Sequence, residues 1–151
     1  MFATKAIQSW DATSHTVWEH GIKGQGQVVG IADTGIDYDN CLFRDEAMPT
    51  PPRCSGSGHN QTSGCINAQH RKIITYRKFD GVDYNDYNFG HGTHVAGSVA
   101  GNAVGPADAQ VETSAYNGAA PEAKIAFDDI AGPDGIPHLI PGANKILSPK
   151  P

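Results

Sequence analysis

Apolar residues fall in short blocks separated by turn-forming residues. Residues 4–20 carry Ile7, Trp10, Val17 and Trp18 among polar neighbours, which predicts a loose helical lead-in. The Gly-rich "GIKGQGQ" (21–27) predicts a turn. "VVGIA" (28–32) is a continuous apolar run bounded by turn signals, and predicts a strand buried on both faces, as in a parallel sheet. It runs straight into Asp33-Thr34-Gly35. Residues 41–70 are rich in Pro, Gly and Cys and predict a long loop. "KIITYRKF" (72–79) predicts a second strand from its β-branched and aromatic content, and "DGVDYNDYNFG" (80–90) a turn region. "HGTHVAGSVAG" (91–101) predicts a helix whose small residues allow close approach and whose Gly101 caps its C-terminus. After a loop over 102–117, "AKIAFDDI" (123–130) predicts a third strand. Strand, strand, helix, strand argues for an α/β fold with a parallel sheet. The tail, with Pro133, Pro137, Pro141, Pro149 and Pro151, cannot form a continuous helix.

Composition narrows the function classes. The 151 residues fit one domain of ordinary size, and 38% hydrophobic with 18% charged residues suffices for a core. A net charge of −5 without any Lys/Arg cluster argues against a nucleic-acid partner. No stretch approaches the ~18 apolar residues of a membrane-spanning helix, so no membrane partner is expected. The first residues lack the apolar core of a signal peptide. The protein therefore stays inside the cell, or this chain starts downstream of its signal. Cys41, Cys54 and Cys65 lie within 25 residues. Cys54 and Cys65 could close a short loop and leave Cys41 odd; a three-cysteine zinc site with His59 or His70 is the alternative, although no C-x-x-C pair is present. Asn60-Gln61-Thr62 is a glycosylation sequon.

Two places carry candidate chemistry. Asp33 stands at the C-terminal end of the first predicted strand, the edge where open α/β sheets hold ligands and catalysis. The bland alternative is an Asp that caps a turn. His91 opens the predicted helix, where the positive end of the dipole disfavours imidazolium and predicts a neutral ring fit for a general base. A lone histidine is more commonly a cap or a core residue. His94 lies one turn on, so Asp33, His91 and His94 together could also hold a metal.

Taken together, "GQGQVVGIADTGID" followed after a second strand by "GHGTHVAGSVAG" resembles the subtilisin-like serine peptidases, the subtilases, whose triad runs Asp, His, Ser along the chain. "NGAAPEAKIAFDDI" (117–130) is similar to the family's Gly-x-Ala-Pro segment and the strand after it. The resemblance covers roughly residues 18 to 135, and the wording is nearest the extracellular alkaline branch. It implies that Asp33 is the triad aspartate, His91 the triad base, and His94 a supporting ring packed or hydrogen-bonded below the site. It implies a serine-type endopeptidase acting on polypeptides outside the cell, with no cofactor required. Structural calcium is allowed, with oxygen donors in "DYDN" (37–40) or "DYNDYN" (83–88), although neither run fits an EF-hand.

The family's Gly-Thr-Ser-x-Ala-x-Pro segment has no match. The nearest lookalike, Ser114 in "ETSAYNGAAP", follows His91 by only 23 residues, and Glu112 replaces the Gly. The expected fold is thus a partial subtilisin-like three-layer α/β fold, cut after the third strand. Residues 1–135 would be the N-terminal portion of the catalytic domain and 136–151 an irregular Pro-rich tail. The chain is expected to be inactive alone. A non-catalytic derivative that binds peptides or a partner protease is the other reading, and a metal-binding module a third. A half sheet would also leave an unpaired strand edge and a helix face without neighbours, so a marginally stable chain is expected.

Overall fold

Three parallel strands and one helix position the residues that matter. The computed structural model describes residues 16–54, 65–78, 83–86, 89–105 and 114–131. In chain order the elements are α1 (Thr16–Glu19), β1 (Val28–Asp33), β2 (Ile73–Lys78), α2 (His91–Ala100), a 3-10 turn (Ser114–Tyr116) and β3 (Lys124–Asp129). The predicted strands and the long helix all form; β1 runs one residue further than predicted, to Asp33, and the others are shorter at their ends by a residue. Of the predicted lead-in helix, the described part is α1, whose Trp18 is buried and donates from Nε1 to Ala119 O at 3.0 Å. Ile7, Trp10, the sequon and the Pro-rich tail lie outside the described residues.

The strand order is β1-β3-β2, with both pairings parallel. The register sets Asp33 beside Asp129 at the carboxyl ends of β1 and β3. Ile31, Phe43, Ile73, Tyr76, Ile125 and Phe127 build the core, and Ala96 and Ala100 bring α2 onto it. Helix α2 packs on β1 and β3. Its C-cap is Gly101, whose φ of −59° is not left-handed. Space is what selects glycine there, because a Cβ would lie 2.7 Å from Gly97 O.

Burial corrects one expectation. β2 is buried over its first four residues and β3 over its last three. β1, predicted to be buried on both faces, is buried only at Ile31, while Val28 is 54% exposed and Gly30 and Ala32 are open. The reason is position: among the described residues β1 is hydrogen-bonded to a strand on one side only. The β2 edge is covered instead. Cys54 N donates to Tyr76 O, and Tyr76 N to Pro52 O. Cys54 is tied to Cys65 by a disulfide, and Cys41 is an exposed free thiol. That bond overturns the three-cysteine zinc reading, since an oxidised pair offers no thiolate to a metal.

Candidate active site

The chain turns sharply at both ends of the site. β1 ends at Asp33, and Gly35 follows with φ +120°, a conformation an L side chain rarely adopts. A Cβ at Gly35 would also meet Asn85 O at 2.0 Å. Before α2, Phe89 (φ 57°) and Gly90 (φ 73°) are both left-handed, and the helix begins at His91. Gly92 then lets the helix start sit against the strand-end turn, because a Cβ there would lie 2.1 Å from Gly35 O.

This approach brings His91 to Asp33. His91 Nδ1 is 2.7 Å from Asp33 Oδ1, which also accepts from Thr34 N at 2.7 Å. Asp33 is largely buried, whereas the His91 side chain is 66% exposed. With Nδ1 engaged by the carboxylate, Nε2 is the nitrogen that can take a proton from solvent or substrate. The Asp33 hydrogen bond and then its charge hold the His91 imidazole above the ordinary histidine range, helped by the charge of Asp86. The expectation of a ring kept neutral by the helix dipole is therefore corrected. A full negative charge at hydrogen-bond distance outweighs the roughly half charge at a helix end.

His94 also departs from expectation. It is exposed, and with Phe89, Gly90 and His91 it lines an open hollow of about 420 Å³. Among the described residues its ring is therefore open rather than packed below the site. Nor do Asp33, His91 and His94 form a metal centre: among the described residues no group of three His, Cys, Asp or Glu side chains could hold a metal ion. Ser114 opens the 3-10 turn, in which Ala115 and Tyr116 are exposed.

The sequence did not point to the polar scaffold behind the pair. Gly90, the N-cap of α2, has no side chain to accept from the first helical N–H groups. Thr34 Oγ1 accepts from Gly92 N at 3.0 Å, and Asp86 Oδ2 from Thr93 N at 2.8 Å. Thr34 Oγ1 in turn donates to Asp86 Oδ1 at 3.0 Å. Thr93 Oγ1 accepts from Asp37 N at 2.9 Å. Deeper still, Ile36 N donates to the Tyr76 hydroxyl, which donates to Asp129 Oδ2 at 3.3 Å. Burial pushes the Asp129 carboxyl up to about 6. The sequence pointed to Asp86 only as a candidate calcium donor within 83–88; for its part here the signal was an acidic residue in the turn before a helix that opens after Gly90.

The profile of the Subtilase family matches residues 24–141. The chain therefore belongs to the subtilase family, with which its α/β parallel sheet is consistent, and relatives it resembles are named as serine or subtilisin-like proteases. It is 40% identical over 116 residues, 77% of its length, to the Serine protease/ABC transporter B family protein tagB of Dictyostelium discoideum. It is 33% identical over 72% of its length to the Subtilisin-like protease SBT4.13 of Arabidopsis thaliana, and 32% identical over 72% to the CO(2)-response secreted protease of the same plant. The chain spans 5%, 14% and 15% of those relatives. Among the described residues no helix is long and apolar enough to cross a membrane.

Proposed function

We propose that Asp33 and His91 are two members of an Asp-His-Ser triad in a peptidase that hydrolyses peptide bonds of polypeptides. The observation that carries this reading is the 2.7 Å hydrogen bond from His91 Nδ1 to a largely buried Asp33 carboxylate, with the rest of the ring open. In such a site the base removes the serine proton through Nε2 as the serine oxygen attacks the scissile carbonyl carbon. It then returns the proton to the leaving amine, while the aspartate holds the tautomer and stabilises the imidazolium. Here His91 supplies the base and Asp33 the orienting carboxylate. The nucleophile is not among these 151 residues, so residues 1–151 alone do not cleave peptides. An extracellular setting is supported by the Cys54–Cys65 disulfide and by the word "secreted" in one relative's name.

The test is an NMR titration of the His91 ring. The reading expects a midpoint above that of an ordinary histidine, which falls in Asp33→Asn. An unchanged midpoint in that variant overturns it. A fluorophosphonate probe is expected to leave the chain unlabelled, and labelling at Ser114 overturns the assignment of the nucleophile to another part of the protein.

A further inference from the structure

We propose that Asp86 is a positioning residue for the Asp33–His91 pair, clamping the start of α2 to the turn that follows β1. The inference rests on the reading of that pair given above, and adds to it the element that sets its geometry.

The argument begins with what the helix start lacks. An α-helix leaves its first N–H groups without intrahelical partners, and a side chain at the N-cap commonly accepts from one of them. Gly90 cannot. Its left-handed backbone and that of Phe89 aim the chain so that His91 is the first helical residue. Something else must fix the helix end, or the His91 ring would not stay at 2.7 Å from Asp33.

Asp86 does so from outside the helix. One oxygen accepts from Thr93 N, on the first turn of α2, and the other accepts from the hydroxyl of Thr34, the residue directly after Asp33. Thr34 is buried, and its hydroxyl oxygen also accepts from Gly92 N. The carboxylate and hydroxyl therefore close a ring of hydrogen bonds: Asp86 to Thr34, Thr34 to Gly92, Gly92 along the backbone to Thr93, and Thr93 back to Asp86. His91 precedes that ring by one residue on the helix side, and Asp33 precedes it by one on the strand side. A slip of α2 along β1 that parts the imidazole from its carboxylate must therefore also strain these bonds. The charge of Asp86 also acts on His91 in the same direction as that of Asp33, and less strongly.

The roles of the two carboxylates can be separated in the chain as it stands. His91 is followed by NMR for its titration midpoint and for the downfield Nδ1–H proton of a ring bonded to a carboxylate. Asp86→Asn keeps the size and one acceptor but removes the charge. It is expected to lower the midpoint by a smaller step than Asp33→Asn and to keep the downfield proton. Asp86→Ala is expected to lower the midpoint further and lose that proton. Thr34→Val is expected to lose it too, and Thr34→Ser, which restores the hydroxyl, to recover it. If Asp86→Ala does not fold, Asp86→Asn and the Thr34 pair decide. The proposal is overturned if the folded Asp86 and Thr34 variants all keep the wild-type midpoint and proton while Asp33→Asn shifts them. If Asp33→Asn itself has no effect, the pair reading fails, and this inference with it.

Discussion

His91 and His70 lie at opposite ends of the same parallel sheet and are governed by opposite forces. His91 stands by the carboxyl end of β1, two-thirds exposed, its Nδ1 against a carboxylate. His70 lies three residues before β2, fully buried, and its Nδ1 accepts the backbone N–H groups of Lys72 at 3.1 Å and Ile73 at 2.8 Å. A nitrogen that accepts two N–H groups carries no proton, so the buried ring is neutral with its proton on Nε2. Burial is the main cause that lowers the His70 pKa; the charge of Asp45 opposes it, and those of Arg71 and Lys124 add to it. The partner of Nδ1 thus decides the charge each ring favours: a carboxylate favours the imidazolium of His91, and backbone donors hold His70 neutral as a turn fastener.

Two substitutions test that division first. The largest effect is expected from Gly92→Ala. Its Cβ would lie 2.1 Å from Gly35 O and 3.2 Å from Asp33 Cβ, so helix and strand-end turn must part. Overpacking of this kind costs roughly 3 kcal/mol. Urea denaturation should show that loss, and the raised His91 midpoint should collapse with it. Next comes His70→Ala. It leaves two buried N–H donors without an acceptor, a cost of about 2 kcal/mol. The His91 midpoint should not move. If it does, the two ends of the sheet are coupled and the division between them fails.

What the sequence made legible follows the same line. The three strands, the helix and the Asp33–His91 pair were readable, because apolar blocks mark strands and the Asp-Thr-Gly and His-Gly-Thr-His strings are specific. The disulfide was one of two open readings of the cysteines, since spacing alone does not choose between a bond and a metal. β1 was misjudged, because "VVGIA" reports the apolar character of a strand and not whether a neighbour lies on its second side. His94 was misjudged for a related reason: its motif implies a covered ring, and among the described residues nothing covers it. Asp86 and Thr34 were hidden because their roles depend on a contact across 52 positions of chain that no local pattern encodes. His70 was considered only as a metal ligand, since a buried ring that accepts from its own turn leaves no periodic trace.

The smallest expected effect is the slope of stability against pH, which the two histidines should drive in opposite directions. For His70 the folded pKa is depressed, so as pH falls below about 6.5 the unfolded chain takes up the proton first. The stability His70 confers is full above that pH and is lost on acidification. For His91 the folded pKa is raised. Its contribution is full below about 6.5 and is lost as pH rises through the folded value. Urea midpoints of wild type, His70→Asn and His91→Gln between pH 5 and 9 isolate each term by difference. The wild-type advantage over His70→Asn should grow with rising pH up to about 6.5, and that over His91→Gln should shrink above it. The second slope should be shallow, because an exposed ion pair is screened by solvent. Slopes of the same sign would mean that one ring does not face the partner described. The raised midpoint also carries to catalysis. On the proposed role, a base held protonated to higher pH requires more alkaline conditions to act, so peptide hydrolysis by a protein that pairs these residues with a serine should rise with pH through the His91 midpoint measured in that protein, and Asp33→Asn should move both together.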